Sequence, residues 1–179
     1  GSDNVYGYSI NATTGKLTLV DNVAAGDGPN GIAVDPSGKF VYVSNWGSDN
    51  VYGYSINATT GKLTLVDNVA AGDKPNSIAV DPSGKFVYVA NIGSDNVYGY
   101  SINSTTGKLT LVDNVAAGSS PISIAVDPSG KFAYVANQGG NVSAYTINAT
   151  TGKLTPLSTG AIVGAGDGPI SIVIMGVLQ

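Results

Sequence analysis

Residues 31–69 read GIAVDPSGKFVYVSNWGSDNVYGYSINATTGKLTLVDNV, and the order of events in that stretch decides the fold. Four apolar runs, 31–34, 40–45, 51–56 and 63–69, alternate with DPSGK, WGSDN and NATTGK. The runs are rich in Val, Ile, Tyr, Phe and Thr, which suit a pleated, half-buried surface. The separators carry Pro, Gly, Asp and Asn, the residues of tight turns. No segment keeps a 3.6-residue period long enough for a helix.

The unit then recurs. Pro29, Pro75 and Pro121 stand 46 residues apart and Pro169 follows 48 later. GSDNVYGYSINATTGKLTLVDNVAAGD occurs identically at 1–27 and 47–73, and a third copy from Gly93 has Ser104 for Ala. Four short antiparallel strands per unit of 40–50 residues, repeated, match a β-propeller blade. A β-solenoid is the rival, but its coils would be shorter and would not place Pro and Gly at two fixed hairpin positions per unit. The expected fold is all-β, a propeller of four-stranded blades of about 46 residues, with about 3.5–4 blades in this chain.

The segments DPSGKFVYVSN, DPSGKFVYVAN and DPSGKFAYVAN, followed by VYGYSINATTGKLT, resemble the YVTN-type repeat and the blades of the lactonase-like seven-bladed propeller family. The resemblance implies that IAVDP is innermost, FVYVAN second, NVYGYSI third and KLTLV outermost. By that order, 1–23 are two outer strands of a partial blade. Gly7, Gly53, Gly99 and Ala144 then sit mid-strand, where a small residue suits close packing by the neighbouring blade, and Val41 with Val43 and Phe40 with Tyr42 give one strand two apolar faces, as expected of a blade sandwiched between blades. Blades follow at 30–69, 76–115 and 122–163, and 170–179 hold an inner strand ending in GVLQ, read as a natural end. The chain lacks an initiator Met and starts inside its own repeat, so it reads as a piece of something longer or as an engineered repeat. Ring completion is expected from further repeats or a second chain, since a lone blade exposes an apolar face and a strand edge.

Composition narrows the function classes. The 179 residues include 25 Gly, 8 Lys and 12 Asp, with no Arg, Glu, His or Cys, for a net charge of −4. Without a basic patch, nucleic acid is not an expected partner. Without Cys there are no disulfides or thiolate chemistry. No apolar run of 18 residues is present, so no membrane span is expected. Lactone hydrolysis by the resembled family implies His, Glu or Arg in the channel to activate water and hold charge, and their absence leads to the expectation that the chain is not an enzyme. The D-x-D-x-D-G spacing of a calcium loop is also missing, so neither metal nor cofactor is expected.

The remaining charges sort by loop. Seven lysines (16, 39, 62, 85, 108, 131 and 153) and three aspartates (35, 81 and 127) lie in the DPSGK and NATTGK turns, here termed the bottom. Nine aspartates (3, 21, 27, 49, 67, 73, 95, 113 and 167) and Lys74 fall on the top or on strand ends pointing to it. An acidic ring opposite a basic ring suggests head-to-tail stacking of copies, extending to filaments. The copies diverge on the top, at Asp27, Asn30, Trp46, Asp73, Lys74, Asn76, Ser119, Ser120, Gln138 and Asp167, which marks a candidate binding face for a glycan or a protein. Sequons at Asn11, Asn57, Asn103 and Asn148, with NVS at Asn141, are glycosylation acceptors in a glycosylating host. The functional expectation is a non-enzymatic structural or assembly module, self-associating, extracellular or at a cell surface; a binding module, or an amplified repeat without a ligand, stands second, and a lactonase-like hydrolase last.

Overall fold

Each DPSGK segment makes one and the same turn. The Asp35 carboxylate accepts from the Phe40 amide at 2.7 Å through Oδ1, and from the Ser37 amide at 3.1 Å and the Ser37 hydroxyl through Oδ2. Gly38 supplies the left-handed residue at φ 70°, a conformation that costs a side chain free energy. Asp81 and Asp127 repeat the arrangement. In the other hairpin the Asn57 side-chain oxygen accepts from Thr59 and Thr60 amides, at 3.0 and 2.9 Å. Both are Asx-type turns, the side chain standing in for backbone.

The computed structural model describes residues 2–157 and 163–175. Those turns join strands into antiparallel sheets. β1 (Asn4–Ile10) pairs with β2 (Leu17–Ala24). A four-stranded sheet follows in chain order: β3 (Pro29–Val34), β4 (Phe40–Asn45), β5 (Asn50–Ile56) and β6 (Leu63–Ala70). The next holds β7 (Pro75–Val80), β8 (Phe86–Asn91), β9 (Asn96–Ile102) and β10 (Leu109–Ala116). The last contains β11 (Pro121–Val126), β12 (Phe132–Asn137), β13 (Asn141–Ile147) and β14 (Leu154–Pro156), with β15 (Val163–Gly164) also paired to β13. This is an all-β, partial propeller of four-stranded antiparallel blades. The inner strands β3, β7 and β11 neighbour one another along the arc.

The outer position of the last blade departs from the repeat. Pro156 cannot donate to a ladder, and the pairing resumes at Val163 and Gly164 after the extra residues. Residues 169–175 carry no strand ladder, although the Ile172 amide donates to Ser123 Oγ at 3.3 Å. GVLQ and residues 158–162 lie outside the described residues.

The core is a set of seams between sheets. Along β4, Phe40 and Tyr42 face the following blade and join Ile78, Val87, Val89, Tyr100 and Leu109 in one apolar cluster. Val41 and Val43 face the preceding one, with Val5 and Tyr54. The same division recurs one seam on, where Phe86 and Tyr88 meet Ile124, Ala133, Val135, Tyr145 and Leu154. Apolar residues on both faces of one strand follow from blades being packed on each side.

Polar bonds lock each seam. Tyr42 donates its hydroxyl to the Gly107 carbonyl of the next blade at 2.9 Å, and Tyr88 does the same to Gly152. In the opposite direction Tyr54, Tyr100 and Tyr145 donate to Ala24, Ala70 and Ala116 carbonyls at 2.7 Å. The mid-strand glycines serve these tyrosines. Gly53 lies across the ladder from Tyr42, and a Cβ there would sit 3.1 Å from the Tyr42 ring. The close approach that sequence reasoning assigned to a neighbouring blade comes from the same blade's own tyrosine.

Candidate functional site at the top rim

Two top loops of each blade are zipped together before any ligand need be considered. Trp46 and Gly47 amides donate to the Gly28 and Asp27 carbonyls at 2.8 and 2.9 Å, and Ile92 and Gly93 repeat this with Lys74 and Asp73. A second tie runs between blades. Asp49 Oδ1 accepts from the Lys74 amide and Asp95 Oδ1 from the Ser120 amide, both at 2.7 Å.

These ties hold Lys74 and Ser120 at φ 54° and 56°, where other copies of the loop have Gly28 and Gly168. A non-glycine residue held there is backbone strain of the kind that clusters at binding sites. The strained Lys74 places its ammonium 5.1 Å from the centre of the Trp46 ring. Trp46 remains 42% exposed. Lysine over tryptophan is a cation–π contact across a blade boundary, and it exists only where Trp46 and Lys74 replace the residues of the other copies.

Beside it, at the start of the inner strands, Asn30 Nδ2 donates to Asn76 Oδ1 at 2.5 Å. Asn76 Nδ2 donates onward to the Ile122 carbonyl at 2.7 Å. Sequence divergence therefore located two contacts, Trp46 with Lys74 and Asn30 with Asn76. Asp27 and Asp73 flank them on exposed loop positions. Ser119, Ser120, Gln138 and Asp167 occupy equivalent loops in later blades, farther along the arc, where the Gln138 amide donates to the Ser120 carbonyl at 2.9 Å.

Three of the aspartates placed on the top do not lie there. Asp21, Asp67 and Asp113 sit inside the outer strands or at their bulges, and their Oδ2 atoms accept from Leu63, Leu109 and Leu154 amides of the next blade at 2.6 Å. They are seam fasteners. The top thus carries six aspartates against Lys74, a weaker acidic ring than the sequence suggested. The sequon residues Asn11, Asn57, Asn103 and Asn148 are exposed at the bottom turns, while Asn141 accepts from Asn137 Nδ2 at 2.7 Å. Among the described residues no group of three or more carboxylates gathers as a metal site, and no helix is long and apolar enough to cross a membrane.

Other groups that bear on the rim escaped sequence reasoning. Ser77 and Ser123 accept, through Oγ, from the Ile124 and Ile172 amides of the adjoining inner strand at 3.2 and 3.3 Å. Ser44 Oγ accepts from the Gly31 amide at 3.0 Å. Small hydroxylated residues near the channel were the available signal.

The family of lactonase seven-bladed β-propellers matches residues 1–79 and 67–168. The chain belongs to that family. Among solved structures, a provisionally assigned 6-phosphogluconolactonase from Bacteroides uniformis is similar at 23% identity and TM-score 0.84, over 94% of this chain and 50% of that one. Its counterpart from Bacteroides fragilis is 25% identical with TM-score 0.81, over 94% and 51%. The periplasmic gluconolactonase of Pseudomonas aeruginosa is 21% identical with TM-score 0.75, over 92% and 50%. The chain spans about half the length of these structures. No curated protein matches it.

These likenesses correct the functional expectation. The family match overturns the non-enzymatic expectation in favour of the lactonase-like reading ranked last, and nothing supports the assembly module, its stacking into filaments or its place on a cell surface. The error was to treat missing His, Glu and Arg as an exclusion. A lactone is an ester, and Asp and Lys are themselves competent in proton transfer and charge stabilisation.

Proposed function

We propose that the chain supplies half of a lactonase-type propeller that hydrolyses a sugar lactone at its top mouth. The match to the lactonase family across residues 1–168 carries this reading. The rim offers fitting chemistry. The exposed Trp46 ring presents an apolar face for a sugar ring. The Asn30 and Asn76 amides supply donors toward the ester carbonyl, and the Lys74 ammonium offsets negative charge growing on its oxygen. The Asp73 carboxylate serves as general base. It takes a proton from water as the new C–O bond forms and returns it to the ring oxygen as the ring C–O bond breaks, leaving a hydroxy acid. We place the protein outside the cytoplasm, as supported by the periplasmic neighbour.

The test is acid release from D-glucono-δ-lactone in a pH-stat. Hydrolysis above the spontaneous rate is expected, reduced about tenfold or more in Asp73→Asn and in Lys74→Gly. A rate equal to buffer, or one indifferent to both substitutions, defeats the proposal.

A further inference from the structure

The NATTGK turns are spelled more fully than their geometry requires. Between β5 and β6 the Asn57 side-chain oxygen accepts from the Thr59 and Thr60 amides, Thr60 Oγ1 accepts from the Lys62 amide at 3.3 Å, and Gly61 is the left-handed residue at φ 71°. The turn therefore accounts for Asn57, Thr60 and Gly61. It does not account for Thr59. That residue contributes only its backbone amide among the described residues, which any residue but proline has, and it is exposed. Thr13, Thr105 and Thr150 behave alike. The residue before the threonine changes from Ala58 to Ser104 between copies, whereas the threonine stays.

A hydroxyl two residues after asparagine completes Asn-x-Thr, the acceptor sequence for N-linked sugar. The turn also presents the reacting atom. It takes up the Asn57 oxygen and leaves Nδ2 without a partner among the described residues, and Asn11, Asn103 and Asn148 are held in the same way. All four are exposed. Sugar carried on the nitrogen leaves the oxygen its bonds to the turn. The fifth sequon, Asn141-Val142-Ser143, is built the other way. Asn141 Oδ1 accepts from Asn137 Nδ2 at 2.7 Å, and a Cβ on Gly118 would stand 2.5 Å from it. Ser143 is 6% exposed, and its Oγ accepts from the Gly118 amide at 3.1 Å and from Asn137 Nδ2 at 2.9 Å.

We propose that Asn11, Asn57, Asn103 and Asn148 are attachment sites for N-linked sugar on the folded chain, and that Asn141 is not. The donor is a glycosyl diphosphate. Asparagine Nδ2 bonds to the anomeric carbon as the C–O bond to the diphosphate breaks. The diphosphate leaves with the electron pair, and one amide proton passes to a base of the transferase. The threonine hydroxyl is the recognition element. Each site lies at the end of its hairpin away from the top, since β5 runs from the loop holding Trp46 and Asp49 to the Asn57 turn. Attached sugars therefore leave the rim around Trp46 clear.

Purified chain incubated with UDP-glucose and a soluble N-glycosyltransferase of Asn-x-Ser/Thr specificity tests the assignment, with hexose located by peptide mass mapping. Hexose is expected on all four turn asparagines and not on Asn141. Chain digested at lysine before the incubation should gain it on Asn141 as well, because only the fold withholds that site. No transfer to the turn asparagines of the intact chain overturns the proposal, as does transfer to Asn141 in the intact chain or its equal refusal in the digest. Thr59→Val keeps the backbone amide and removes the hydroxyl, so hexose should be lost from Asn57 alone with the urea midpoint unchanged. A lowered midpoint would give the Thr59 hydroxyl to the turn and overturn its assignment to recognition.

Discussion

The Tyr42 hydroxyl crosses a blade boundary to reach the Gly107 carbonyl at 2.9 Å, and Tyr42 has no exposed surface. The bond is between residues 65 apart in sequence, so it fastens tertiary rather than local structure. Removing the hydroxyl leaves a carbonyl without its partner in a dry seam, at a cost of about 1–3 kcal/mol. We predict that Tyr42→Phe and Tyr88→Phe each lower the unfolding free energy by that amount, read as a lower urea midpoint with an unchanged slope. A change below a few tenths of a kcal/mol would show that the seam bond is dispensable.

Gly107 carries two demands at once. Its φ is 75°, and a Cβ would stand 2.4 Å from the Phe40 ring. Gly15 shares the first demand, with φ 71°, but a Cβ there meets nothing within 4 Å. Alanine at Gly15 should therefore cost only the left-handed backbone penalty, about 1–2 kcal/mol. Alanine at Gly107 should cost that plus overpacking of about 1–3 kcal/mol. Equal losses in denaturant melts of the two variants would place Phe40 elsewhere in solution.

How much of this was legible in the sequence depends on what each residue answers to. Asp35 and Gly38 answer to their own turn, and the DPSGK spacing announced it. Strand alternation at Phe40–Val43 announced that both faces are buried. Gly53 was noticed but misexplained, because alternation does not say whether the close neighbour is the ring across the ladder or the next blade. Asp67 was misplaced for a sharper reason. The ladder pairs Gly53 with Asp67 and Tyr54 with Leu65, skipping Val66, and such a bulge breaks the two-residue period that assigns faces. At the rim, copy divergence found Trp46 and Lys74. Function was misread because absent residue types were weighed above the resemblance itself.

Acid should act through the bottom turns. Burial pushes the Asp35 carboxyl up, but the Ser37 hydroxyl and the amides of Phe40, Ser37 and Lys39 together outweigh it and hold it below its ordinary 3.8. Asp127 behaves alike. A carboxyl lowered in the folded state stabilises above its unfolded value, and that contribution is lost as pH falls through the folded one. We predict stability that declines from about pH 4 downward, with a shallower decline in Asp35→Asn read by urea midpoints at successive pH. An identical acid limb in the variant would remove Asp35 from the account.

Protection against hydrogen exchange should follow the number of covered faces, since local opening costs least where few apolar contacts must be given up. The sheet β7–β10 is packed on both sides, and Val87, Tyr88, Val89 and Val97 have no exposed surface. The hairpin β1–β2 is packed on one side, leaving Tyr8 and Leu19 each 53% exposed. The β1–β2 and β9–β10 ladders have the same register and nearly the same sequence, although β9 also pairs with β8, so for the amides bonded within those two ladders composition predicts equal rates and packing does not. We predict that β8 and β9 amides exchange slowest and those of β1 and β2 fastest, the copies ranking by position although their sequences agree. Uniform exchange across the copies would mean that each hairpin is held by its own ladder, and the seams would lose their place as the source of stability.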